Sequence, residues 1–166
     1  AAARAVMGAV MGGQFEPVDQ HILKDMLPAS VGDLKRNKSE ANKVAMGEFK
    51  IAKAEAGYSD SQNHNIDLTL TDTGGAQMFG ALAAWASVES ESDSDSGYEK
   101  MSKVDGRPTH EKFNKNGMNG EYSVVVGNRF LVEAQGQQVD MAALKQAVAS
   151  VDFNKLESMK NDGAKK

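Results

Sequence analysis

The sequence predicts an α+β fold: a single antiparallel sheet of about six to seven strands, two main helices packed on it, and a short N-terminal helix. Three observations lead there. Ile66, Leu68 and Leu70 alternate with Asp67, Thr69 and Thr71, the period-two pattern of a half-buried strand. Short turn signals, Asp105-Gly106 and Gly127-Asn128 foremost, separate extended segments, so hairpins should dominate over parallel crossovers. The order strand, strand, helix occurs twice, with the similar endings Ala84-Trp-Ala-Ser-Val88 and Ala147-Val-Ala-Ser-Val151. That rhyme predicts two pseudo-repeated ββα units.

The elements follow in order. Residues 1–15 read as a flexible leader or weak helix, residues 16–159 as one α+β domain, and residues 160–166 as a disordered tail. Pro17 suits a first helical turn, and Val18, Ile22, Leu23, Met26 and Leu27 share a face until Pro28 stops the helix. Val31 to Arg36 reads as a turn into a short strand, and Ser39 to Lys43 as a polar helix or loop. Met46 to Tyr58 is a strand with a mixed pattern, explained by a bulge near Gly57 or a covered second face. Ser59 to Asn63 turns into the strand of Ile66, Leu68 and Leu70. Ala76 to Val88 is helical, with Met78, Leu82 and Trp85 at helical spacing. Glu89 to Gly97 is a solvated acidic connection. Strands follow at Tyr98–Val104, Arg107–Phe113, Glu121–Val126 and Arg129–Ala134. Asp140 caps a helix from Met141 to Val151 with Leu144, Val148 and Val151 as its core stripe, and Asp152 starts a further turn carrying Phe153 and Leu156.

Composition narrows function mainly by exclusion. The 166 residues carry a net charge of -4, against the basic excess of a nucleic-acid binder. There is no cysteine, which excludes disulfides, thiolate nucleophiles and Cys-ligated zinc. No apolar run reaches the roughly 18 residues of a membrane span. Asp72-Thr73-Gly74 is the triplet of aspartic proteases, whose chemistry needs two carboxylates sharing a proton, so Asp72 could serve only across a homodimer. Polar Thr71 before it and a helix after it favour a turn and cap instead. Glu91, Asp93 and Asp95 alternate like a calcium loop, yet the sixth and twelfth positions hold Ser96 and Ser102 in place of glycine and glutamate. His21, His64 and His110 lack the spacing of a helical zinc pair. No phosphate loop or nucleophile elbow is present, and no cofactor is expected.

Several segments carry a resemblance: Leu27-Pro28, Val31 to Arg36, Ala54-Glu-Ala-Gly-Tyr-Ser59, Leu70-Thr-Asp-Thr-Gly74, Gly97-Tyr-Glu-Lys100, Gly120 to Phe130 and the helix of Leu144. Across residues 27–157 the chain resembles a group of uncharacterised bacterial proteins, exported or lipid-anchored in the cell envelope, with a small α+β domain. The resemblance implies a periplasmic or envelope location, with membrane attachment only through an N-terminal anchor preceding Ala1, and it carries no catalytic residues. The expectation is a non-enzymatic envelope domain that binds a partner protein or a small apolar ligand through its sheet face. The alternatives are a dimeric aspartic-type hydrolase using Asp72, and a structural or oligomer-forming module.

Overall fold

Strand-forming residues separated by tight turns produce a chain that pairs mostly with its own neighbours. The computed structural model describes residues 16–46, 49–73, 89–127 and 129–160. In them the chain forms α1 (Gln20–Asp25), β1 (Ser30–Val31), β2 (Leu34–Met46), β3 (Phe49–Ser59), β4 (Asn65–Asp72), β5 (Ser90–Ser94), β6 (Gly97–Val104), β7 (Arg107–Asn114), β8 (Asn119–Val126), β9 (Phe130–Gln137), α2 (Met141–Ala149) and α3 (Phe153–Ser158). All nine strands belong to one sheet, ordered β1-β2-β3-β4-β9-β8-β7-β6-β5, and every neighbouring pair is antiparallel.

This corrects the predicted architecture. The sheet has nine strands, not six to seven, and the described helices are three and short, so strand dominates. Two ββα units are replaced by two meanders, β1–β4 and β5–β9, that meet at the β4–β9 pair. The reason lies at the sheet edges. Most of residues 35–45 and all of Ser90–Ser94 are exposed, so they lack the alternation that burial on one face imposes. Backbone pairing alone makes them strands. The expected helix at 76–88, the leader at 1–15 and residues 161–166 lie outside the described residues.

Turns and caps follow local chemistry. Asp105 (φ 53°) and Gly106 (φ 78°) both take positive φ, the two-residue hairpin turn that matches strand twist. A bulge between Arg36 and Lys38 shifts the β2–β3 register opposite Gly57 and Tyr58. Asp19, Asp140 and Asp152 cap the three helices, accepting from the backbone N–H of His21, Ala143 and Lys155.

All three helices cover one face. Leu23 of α1, Leu144, Ala147 and Val148 of α2, and Leu156 of α3 join Ala52, Ala54, Ala56, Ile66, Leu68, Leu70, Val124, Val126, Phe130, Val132 and Ala134 in one core. The alanines of β3 leave room for α1, which packs on β2, β3 and β4. Gly136 lets α2 sit close: a Cβ there would lie 2.4 Å from Val139 Cγ2 and 2.7 Å from Leu144 Cδ2. The Tyr58 hydroxyl donates to Pro28 O at 2.7 Å and anchors the loop after α1; burial pushes its pKa up to about 12. Among the described residues no helix is long and apolar enough to cross a membrane.

Candidate binding groove on the second sheet face

Side chains alternate across a strand, so if Tyr58, Ile66 and Ala134 face the helices, their neighbours face away. Register then assembles those neighbours into rows that cross the strands. One row is Ser59 (β3), Asn65 (β4), Gln137 (β9), Asn119 (β8) and Asn114 (β7). The next row on the same face is Gly57, Asp67, Gln135, Glu121 and Lys112 on the same five strands. At ~4.8 Å between strands the rows extend about 20 Å.

These rows floor a groove of about 680 Å³, completed at its β2 end by Asn37 and Lys38. Asn37 is the bulged residue; its side-chain amide donates to Ser59 Oγ at 2.6 Å and lies 3.0 Å from where a Cβ of Gly57 would stand. The glycine is therefore what lets the amide fold over β3. Asp67, Gln135, Gln137, Asn119 and Glu121 make no side-chain hydrogen bond to another described residue, so their donors and acceptors face the groove. Lys38 and Lys112 balance Asp67 and Glu121, which leaves the lining neutral in formal charge.

Beyond the groove the same face becomes less accessible. Ser123 is 2% and Val125 1% exposed. Glu133 lies between the two zones, paired across the sheet with Ser123. Burial, and then the Glu121 carboxylate, push its pKa above the ordinary glutamate value, although Lys53, the Ser123 hydroxyl and His110 oppose the shift. His110 in turn meets Glu99, Nε2 to Oε2 3.0 Å.

The far end of β4 and β9 holds a different polar cluster. Asp72 is fully buried, and its carboxylate takes a bidentate ion pair from Arg129, Nε to Oδ1 2.8 Å and Nη2 to Oδ2 2.9 Å. The backbone N–H of Val18 donates to Oδ2 at 2.7 Å. Arg129 also donates to the carbonyls of Glu16, Met159 and Lys160, and its own carbonyl accepts from the Thr73 hydroxyl at 2.8 Å. One buried arginine thus ties the start of the domain, the end of β4 and the segment after α3 together. Asp72, the candidate catalytic residue, is bound up in this clamp.

The calcium-like residues are spread out. Glu91 and Asp93 lie on β5 and pair with Lys100 and Tyr98, while Asp95 follows in the turn, and all three are exposed. Lys115 approaches Asp93 at 4.0 Å. Among the described residues no group of three or more His, Asp or Glu side chains is placed to hold a metal ion. The three histidines stand apart, each beside its own carboxylate: Asp19, Asp60 and Glu99. The His64 contact holds the Asp60 carboxyl below the usual aspartate range.

Sequence reading missed the groove entirely. Its signal was present in the outward parity of β4 (Asn65, Asp67) and β9 (Gln135, Gln137), but which strands lie side by side is a tertiary fact. Comparison with known proteins finds no matching family model, no similar curated protein and no similar solved structure.

Proposed function

We propose that this protein is a binding domain whose ligand is uncharged and hydroxyl-rich, an oligosaccharide in the first instance, lying across the strands in the groove. The observation that carries the reading is the double row of polar side chains across the sheet, with amides on the four adjacent strands β4, β9, β8 and β7 and the acids Asp67 and Glu121 among them. Each amide offers a donor and an acceptor, and each sugar hydroxyl offers the same pair, so the two match without net charge. The groove crosses several strands, which suits an extended chain of units over a compact molecule. Its polar lining turns the reading away from the small apolar ligand expected from sequence. The Asp72 carboxylate, saturated by Arg129 and Val18, gives the hydrolase reading no support. We propose in addition, on the resemblance to exported proteins alone, a location in the bacterial cell envelope, and cell fractionation tests that part: a wholly cytoplasmic protein would remove it.

The binding test is calorimetric titration of a panel of neutral oligosaccharides into the wild type and into Gln135→Ala and Asn119→Ala. Removing one net hydrogen bond of ~0.5–1.5 kcal/mol should weaken binding roughly twofold to twelvefold. A panel that yields no binding, or binding untouched by both substitutions, would overturn the reading.

A further inference from the structure

The two long margins of the sheet carry opposite charge. Beyond its short pairing with β1, the outer side of β2 has no partner strand among the described residues, and most of its side chains are exposed. The strand bears Lys35 and Arg36 where β1 pairs with it, and Lys38 and Lys43 against Glu40 alone in the stretch beyond. At the other margin every residue of β5 is exposed, and the strand bears Glu91 and Asp93 with Glu89 and Asp95 beside it. Charge on an edge strand ordinarily keeps sheets apart. Here like charge guards β2 against β2 and β5 against β5, but it leaves β5 against β2 attractive.

Direction and face agree with charge. Seven antiparallel steps separate β2 from β5, so the two strands run in opposite directions. A second copy placed alongside by translation would therefore continue the antiparallel alternation with its helices on the same side. Register puts Glu91 and Asp93 on the helix-side face, where Lys43 stands within the free stretch of β2 and Arg36 at its β1 end, while Lys38 lies on the opposite face. We propose that copies of this chain associate head to tail, β5 of one pairing with the Asn37–Met46 stretch of β2 in the next. Such a contact is heterologous, so it builds rings or open filaments, not closed two-fold dimers.

The experiment is sedimentation velocity with light scattering on the full chain over a concentration series, at low ionic strength and at about 0.5 M salt, where screening is short. The wild type should associate with rising concentration and dissociate in salt. E91K/D93K makes β5 basic like β2, and K38E/K43E makes the free stretch of β2 acidic like β5, so each variant alone should be monomeric. Mixed, they should reassociate, because each basic edge then meets an acidic one. Circular dichroism verifies the sheet in each variant; E91S/D93S replaces the first if it has lost its sheet, and must likewise lose association. A wild type monomeric at every concentration, a variant that assembles undiminished, or a mixture that stays monomeric would overturn the proposal.

Discussion

The central strands β4 and β9 end in two polar clusters that obey opposite rules. At the Asp72–Phe130 end, charged groups are buried and each partner is supplied from within the chain. At the Asn65–Gln137 end, neutral amides stand exposed, and several have no side-chain partner among the described residues. Burying a charge costs so much that it survives only when saturated. Exposed amides cost little, because water satisfies them until a ligand does. The first cluster is architecture and the second is available for recognition; this is why the charged end is the poorer candidate for a site.

The contrast can be broken experimentally, most forcefully at the clamp. Arg129→Met strands the Asp72 carboxylate in the core, and removal of one partner of a buried pair costs ~3–5 kcal/mol. Urea unfolding should show that loss; a cost within 1 kcal/mol, on the order of a surface substitution, would mean the clamp is dispensable. Next comes Gly136→Ala, behind the groove floor. Its Cβ would press on Val139 and Leu144, and overpacking of this kind costs ~1–3 kcal/mol, readable as a lower midpoint in the same assay.

Smaller and of opposite sign is Glu133→Gln. The folded-state pKa of Glu133 is raised, so its ionisation penalises folding. The penalty is absent below the unfolded value of about 4.5 and grows as pH rises through the folded one. The variant should therefore be more stable than wild type at neutral pH and indistinguishable from it near pH 3, by no more than ~2–4 °C in melting temperature. An equal effect at both pH values would contradict this origin. Smallest of all, Gln137→Ala should move stability by less than ~0.5 kcal/mol while binding weakens, since it removes an exposed side chain from the groove alone.

What the sequence disclosed follows the same physics. Ile66, Leu68 and Leu70 announced β4 because half of that strand is buried, and Asp105-Gly106 announced its hairpin because positive φ restricts residue choice. The mixed pattern of Met46 to Tyr58 points to a bulge near Gly57 or a covered second face; the register shift lies instead in the partner strand β2, across from Gly57. The strands β2 and β5 stayed hidden because exposed edges impose no apolar period. The Asp72–Arg129 pair stayed hidden because its partners are far apart in sequence, and Asp-Thr-Gly read alone suggests either a protease or a turn. The groove was half-written in the outward positions of β4 and β9, but assembling it required the β4–β9 and β8–β9 registers.

The division between a saturated corner and a receptive groove is tested most directly by nuclear magnetic resonance on the side-chain amides. Titrating a neutral oligosaccharide that binds should shift the NH2 signals of Asn65, Asn119, Gln135 and Gln137 and leave the Arg129 guanidinium signal in place. Shifts centred on Arg129, or groove amides unmoved at saturation, would contradict the account.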